Sequence, residues 1–321
     1  MEWNKNRGQM LRKLLFGKLG LVFGLLILCA VFGALDSVFL TVGNIRNISI
    51  QASTNAVIAA GMTFVIISGG IDLSVGSTVA LSSVIGANVM IQTENVLLGI
   101  VAALFAGVVC GLINGTIVAY LQFPPFIVTL STMWLFRGSA YVLTGGQAVV
   151  GLPPGNMVLV QGHFFYIPYI VWLVVGVYVV CYIALAKLTI GRKIYATGDN
   201  AESARLSGIN IKRVSAKMFI ISGLLAALGG IILMSRLNSG QPIAGQGFEL
   251  SAIAAAVIGG TSLTKGGVGG VWGTLVGALF ISALLNGLII LNVDAFWQQV
   301  LMGIVVLFAV AIDKYRKIIA G

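Results

Sequence analysis

KLTIGRKIYATGDNAESARLSGINIKRVSAK, residues 187–217, is the one long charged stretch in the middle of a chain that is otherwise nearly all apolar. Seven of its residues are basic: Lys187, Arg192, Lys193, Arg205, Lys212, Arg213 and Lys217. Its centre carries the punctuation of a short helix. Asp199 and Asn200 are both good N-cap residues, and Asp199 stands three before Glu202, the spacing of a capping box. Gly208 follows Leu206 and Ser207 where a C′ glycine ends a helix. A helix this short is marginal in water unless it packs on something. Two readings stand at this point: a loop with one helical turn, or a docking helix held out toward a soluble partner.

Outside that stretch the composition decides the class. Of 321 residues, 58% are hydrophobic and 9% charged, against about 25% charged in an ordinary soluble domain. Apolar segments at 19–35, 50–68, 73–92, 96–120, 126–144, 167–186, 215–235, 250–264, 271–291 and 295–312 predict about ten transmembrane helices. The fold class expected is an all-α polytopic membrane protein, one domain over residues 1–321, with some helices broken. The boundary between the second and third segments, and the short segment 250–264, are where a broken or re-entrant helix is expected. The 42 glycines stand well above the roughly 7% average. GxxxG pairs at Gly20/Gly24, Gly107/Gly111/Gly115 and Gly273/Gly277 predict close helix approach.

Charge placement sets the expected sidedness. With the amino terminus inside, Lys5, Arg7, Arg12, Lys13, Lys18, the seven basic residues of 187–217, Lys265, Lys314, Arg316 and Lys317 all fall inside. Only Arg46 and Arg236 fall outside, and Arg137 sits within a span, where snorkelling to the outer interface is expected. This positive-inside asymmetry predicts that both termini and 187–217 are cytoplasmic and that 145–166 is external. It also accounts for the basic charge without nucleic acid. The basic start could open a signal peptide, and Cys29 ends a run resembling a lipobox. Leu28 is too large for the position before such a cysteine, so a retained first helix is expected. Asp36, Glu94, Glu249 and Asp294 fall in outer loops. The lone histidine, His163, reads as a surface residue.

Few residues could carry chemistry. Cys29, Cys110 and Cys181 sit in apolar runs without partners at metal-ligand spacing and read as packing residues. Asp72, in GGIDLSVGS, is the only acid buried in the hydrophobic pattern. It is either an ion or proton site or an N-cap for the helix that follows, and its glycine neighbours favour the structural cap. GGTSLTKGG (259–267) lacks the order of an ATP-binding loop, and no catalytic constellation or metal set appears. The in-span amides and hydroxyls Gln51, Asn55, Thr63, Asn114 and Asn286 suit a path for an uncharged polar solute, although most such groups bond neighbouring helices. The stretches 57–77 and 252–270 share an IAA start, a Gly-Gly break and a glycine-rich restart, followed by Asn114-Gly115 and Asn286-Gly287 respectively. Such echoes are the mark of transporters with internal repeats.

GMTFVIISGGIDLSVGS (61–77), GLINGTIVAYLQFPPFIVTL (111–130), GRKIYATGDNAESARLSGINIKR (191–213) and SAIAAAVIGGTSL…GGVGGVWGTLVGAL (251–279) together resemble the permease family of ABC importers for ribose and other monosaccharides. The resemblance covers nearly the whole chain and is specific for the family rather than for its sugar. It implies a permease in the bacterial cytoplasmic membrane, paired with a second permease subunit, which we expect to be a second copy of this chain. It also implies a cytoplasmic ATPase that binds ATP and Mg, and an extracytoplasmic sugar-binding protein, with no cofactor on this chain. It makes 187–217 the coupling loop: Glu202, Ala204 and Gly208 match the family's acid–alanine–glycine core, and Asn200, Ala201, Ser203 and Arg205 complete the segment expected to meet the ATPase. Arg46 and Arg236 are the residues expected to dock the binding protein. The alternative is a secondary sugar transporter driven by an ion gradient, for which Asp72 is the one ionisable residue available.

Overall fold

The computed structural model describes residues 18–320. The basic residues 1–17 lie outside them, so the expected cytoplasmic amino terminus is not among the described residues. The helices are α1 (Lys18–Leu35), α2 (Val42–Ile67), α3 (Val75–Thr93), α4 (Val96–Tyr120), α5 (Pro125–Thr144), the one-turn α6 (Val158–Gln161), α7 (Tyr169–Ala186), α8 (Thr189–Asp199), α9 (Ala201–Leu206), α10 (Ile211–Leu237), α11 (Phe248–Ile258), α12 (Val271–Ile290) and α13 (Ala295–Ala320). A two-stranded hairpin pairs β1 (His163–Phe164) with β2 (Ile167–Pro168). Eight of the described helices are long and apolar enough to cross a membrane, and α1 and α11 are shorter apolar helices. The ten apolar segments of the sequence therefore each yield one helix.

The bundle is built around α2. Its sequence has small and apolar residues on every side rather than a stripe, the pattern of a helix covered all round. From Ile50 to Ile67 every residue is buried except the half-buried Gln51. α10 lies against it at Gly61, where an added Cβ would stand 3.1 Å from the Ser222 backbone. α12 is joined to it by the Thr63–Thr274 hydroxyl pair at 2.7 Å, and α7 by the Tyr178 hydroxyl, which donates to the Ala56 carbonyl at 2.8 Å.

Two of the three GxxxG runs are points of close approach. Gly107, Gly111 and Gly115 of α4 meet the backbone of α10 at Gly223, Phe219 and Ala216, while Gly273 and Gly277 of α12 meet α11 at Gly259 and Ala255. Any Cβ at these positions would overlap a neighbouring backbone, so the residue must be glycine for the helices to touch. Gly24 differs: among the described residues nothing lies within 4 Å of where its Cβ would be.

The chain is non-helical at two places inside the bundle. Residues 68–74 join α2 to α3, confirming a break where the sequence placed an uncertain boundary. Residues 238–247 run back along α3, with Gly240 against Ala87 and Val84 and Gly245 against Val79. They lead into α11, whose 11 residues reach only about 16 Å at 1.5 Å per residue, too short to span alone. Non-helical backbone at this depth is tolerated only where protein covers it and its polar groups are bonded. Arg137 supplies part of that bonding, donating to the carbonyls of Pro242 at 2.7 Å and Ala244 at 2.6 Å. It does not snorkel, because two unpaired carbonyls of a distant segment are within its reach. Glu249 likewise is no outer-loop residue: it opens α11 and accepts from the Gly247 N–H at 3.2 Å.

The echo between 57–77 and 252–270 is real at its break and ends there. α2 and α11 finish alike, with Gly69 at φ +89° and Gly260 at φ +94°. In each the next two N–H groups bond back, Gly69 to Ile66 and Gly70 to Val65, Gly260 to Val257 and Thr261 to Ala256. The two Asn-Gly pairs are not equivalent: Gly115 lies against Ala216 of α10, and Gly287 against the Phe32 ring of α1.

Candidate functional site

Within 187–217 two helices, not one, precede the start of α10 at Ile211. α8 was hidden in the sequence because its four apolar residues, Ile190, Ile194, Tyr195 and Ala196, are interrupted by Arg192 and Lys193 and form no apolar run. Its Gly191, Ile194 and Thr197 nonetheless fall at three-residue intervals and are buried, a helical spacing that could have revealed it. It docks on the bundle: an added Cβ at Gly198 would overlap the Ile67 carbonyl and lie 2.5 Å from the Gly267 nitrogen.

α9 follows at once and projects. Asn200 is its N-cap, accepting from the Ser203 N–H at 2.9 Å. Asp199 is not a cap, because it is still the last residue of α8. The capping box does not close. Glu202 instead takes two bonds from Arg205, at 3.0 and 2.6 Å, an (i, i+3) pair in solvent. The guanidinium holds the Glu202 carboxyl below its ordinary range, and the carboxylate holds Arg205 above its own.

Gly208 has φ +80°. Its N–H bonds to the Arg205 carbonyl and that of Ile209 to the Ala204 carbonyl, both at 3.0 Å, the Schellman pattern that stops a helix. Ala204 is the one buried residue of α9. Ala201, Glu202, Ser203 and Arg205 are exposed, and Leu206 is 76% exposed. Small residues, one ion pair and a bare leucine thus stand clear of the bundle.

Deeper in, a chain of polar groups crosses four helices. Asp72 is 1% exposed. Its Oδ1 accepts from the Ser74 N–H at 3.0 Å and the Ser74 hydroxyl at 2.6 Å, and its Oδ2 from the Ser222 hydroxyl at 2.8 Å. Asn114 Nδ2 donates to Ser74 Oγ at 2.8 Å, and Thr132 Oγ1 donates to Asn114 Oδ1 at 2.7 Å. The N-cap position of α3 is Ser74, two residues after Asp72. Asp72 is therefore not the cap itself; it braces that start and ties it to α10.

Asn114 and Thr63 are buried and bonded to neighbouring segments. Asn286 Oδ1 accepts from Asn44 Nδ2 at 2.9 Å. Gln51 and Asn55 lie one turn apart on α2, and among the described residues Asn55 Oδ1, buried, has no hydrogen-bond partner. The adjacent Thr54 Oγ1 has none either.

At the end opposite α9, Arg46 and Arg236 are both exposed. Ile58 meets Gly229 and Gly61 meets Ser222 in antiparallel register, which places the two arginines at one end. The His163 side chain, on the exposed hairpin, bonds the Gln161 carbonyl at 3.1 Å. One acid was missed: Asp313 of α13 is 8% exposed and bonds the loop after α11. It lies near the basic end of the last span, and no local motif distinguishes it from an exposed terminal acid.

A covered central helix, two interior breaks, a small capped helix held out at one end and eight helices long and apolar enough to span fit a multi-pass membrane protein. Residues 44–310 match the family model described as "Branched-chain amino acid transport system / permease component". The chain belongs to this family. It is 44% identical over 302 residues, 94% of each chain, to the ribose import permease protein RbsC of Bacillus subtilis (strain 168). It is 41% identical over 300 residues to that of Escherichia coli (strain K12), covering 92% of this chain and 93% of the other. It is 37% identical over 306 residues to the L-arabinose transport system permease protein AraH of Escherichia coli (strain K12), covering 94% and 93%. No solved structure matches.

Proposed function

We propose that this chain is the membrane-spanning subunit of an ATP-driven importer for ribose or a closely related monosaccharide, in the bacterial inner membrane. The observation that carries the reading is 44% identity across 94% of both chains to a ribose import permease. The arabinose and allose permeases, at 37% and 38%, keep related sugars in view. The family model's own description names amino acids, but full-length likeness to several sugar permeases is the narrower guide. ATP and Mg belong to a separate ATPase that receives α9, with Asn200–Arg205 and Gly208 at the contact. A second copy of the chain completes the path. Within it, Asn55 is the candidate with an acceptor still unpaired, which a sugar hydroxyl can meet.

The test is uptake of labelled ribose into vesicles carrying the permease, its ATPase and the binding protein. Uptake should need ATP and fall with excess unlabelled ribose. Uptake driven by an imposed proton or sodium gradient, and indifferent to ATP, would remove the reading in favour of a secondary transporter.

Sidedness follows from the positive-inside bias, with α9 and both termini cytoplasmic. A cysteine at Ser203, on a background without Cys29, Cys110 and Cys181, should resist an impermeant thiol reagent in intact cells and react once the membrane is opened. Labelling in intact cells reverses the assignment.

Arg46 and Arg236 then face outward, and we assign them to docking the binding protein. Rim charges act mainly on association rate and its salt dependence. The double variant Arg46→Glu, Arg236→Glu should lower uptake several-fold at limiting binding protein and low salt, and far less at saturation. Unchanged uptake at limiting binding protein would leave the pair as lipid contacts.

A further inference from the structure

The loop after α11, residues 259–270, is held from two sides at once. On one side is Asp313 of α13. Its Oδ2 accepts from the Ser262 hydroxyl and the Leu263 N–H, both at 3.0 Å. The same oxygen accepts from the Thr264 N–H and hydroxyl, both at 3.2 Å. The loop is tightened further by its own bonds, Lys265 N–H to Ser262 Oγ at 3.1 Å and Ser262 N–H to the Val268 carbonyl at 3.2 Å. Four donors converge on that one carboxylate oxygen, which ties the loop to α13 by hydrogen bonds as well as by packing.

On the other side is α8. The Tyr195 hydroxyl donates to the Gly269 carbonyl at 3.0 Å. Lys265 Nζ lies 3.4 Å from Asp199 Oδ1. An added Cβ at Gly267 would stand 2.8 Å from the Asp199 nitrogen and the Tyr195 carbonyl. The Gly267 N–H also donates to the Ile67 carbonyl at 2.8 Å, at the end of the central helix. Asp199 is the residue before Asn200, the cap of the projecting helix.

We propose that this loop is a rigid relay carrying displacement of α8–α9 to the ends of α2 and α13, with Asp313 as the positioning residue that holds it. The proposal rests on the reading of α9 as the ATPase contact and adds how a push there enters the bundle. Backbone-to-backbone contact at Gly198 and Gly266–Gly267 leaves no side chain to absorb the motion. The loop moves with α8, and Asp313 makes α13 move with the loop.

Two measurements test it, both on the assembled complex. In the first, Asp313→Leu removes all four bonds, while Asp313→Asn keeps an oxygen acceptor. Asp313→Leu should leave ATPase co-purification and basal hydrolysis within about two-fold of wild type. Stimulation of hydrolysis by ribose-loaded binding protein should fall at least ten-fold, and Asp313→Asn should restore a third or more of it. Retained stimulation in Asp313→Leu overturns the relay, and so does parallel loss of ATPase association, which would make Asp313 a fold residue only.

The second needs no sugar. Cysteines replacing Asp199 and Lys265, on the background without native cysteines, should be joined equally well by a short thiol cross-linker with and without ATP. Cross-linking confined to one nucleotide state would show that α8 and the loop separate, and would overturn the proposal. Failure of wild type to respond to ribose would count against the functional reading alone, because the cross-link does not depend on it.

Discussion

Gly208→Val is expected to reduce co-purification of the ATPase about ten-fold or more while the permease remains inserted and folded. The position has φ +80°, and among the described residues nothing lies within 4 Å of an added Cβ. The effect is therefore purely one of backbone conformation. A left-handed residue with a side chain costs roughly 1–2 kcal/mol, more for a β-branched one, and about 1.4 kcal/mol is a ten-fold change in an equilibrium. Valine also breaks the two bonds from Gly208 and Ile209 that end α9. The helix would then run on or fray, and Leu206 and the Glu202–Arg205 pair would no longer be presented together. Glu202→Ala should be milder, because the Asn200 cap survives and an exposed (i, i+3) pair contributes only a few tenths of a kcal/mol. Pull-down of the ATPase with each variant, alongside a fold check by detergent gel filtration, measures the difference. Wild-type association in Gly208→Val would show that α9 is only a connecting loop.

Asp72→Leu is expected to prevent accumulation of folded permease, whereas Asp72→Asn should leave both level and uptake within about three-fold of wild type. The carboxylate accepts three bonds, and leucine strands the Ser74 N–H and two hydroxyls, each at about 1–3 kcal/mol if left unpaired while buried. Ser74 also holds Asn114, which holds Thr132, so the damage reaches four helices. The whole stability of a domain is only about 5–15 kcal/mol. Asparagine keeps an oxygen for Ser74 and turns an amide toward Ser222, whose hydroxyl can rotate to accept it. The contrast between the two variants separates a structural brace from an ion site. A well-folded Asp72→Asn protein that no longer transports would mean that the negative charge itself is used, as a gradient-driven carrier requires.

Both predictions start from residues that the sequence singled out, with different success. Gly208 was legible because a left-handed stop is local: a glycine after a capped two-turn segment suffices. Asn200 was legible for the same reason. The capping box was not, because Glu202 had two partners in reach, and only geometry shows it taking Arg205 rather than its own helix start. Asp72 was seen as buried and structural, but its partner Ser222 is 150 residues away. Arg137 was misread for a similar reason, since its acceptors lie 105 and 107 residues on.

The sequence by itself determined the membrane class, the ten apolar segments, the cap and stop of a short helix in 187–217, and the family. Each follows from composition, from hydropathy along a single segment, from the chemistry of adjacent residues or from whole-chain likeness. Only the tertiary structure decided which amides are already paired and which, like Asn55, still has an open acceptor. It alone showed that α11 stops short, that Arg137 serves a buried carbonyl pair, and that Asp313 grips a loop about 50 residues earlier in the chain. A hydrogen bond is made or lost over a few tenths of an ångström, and hydropathy carries no information at that scale about which distant segments meet.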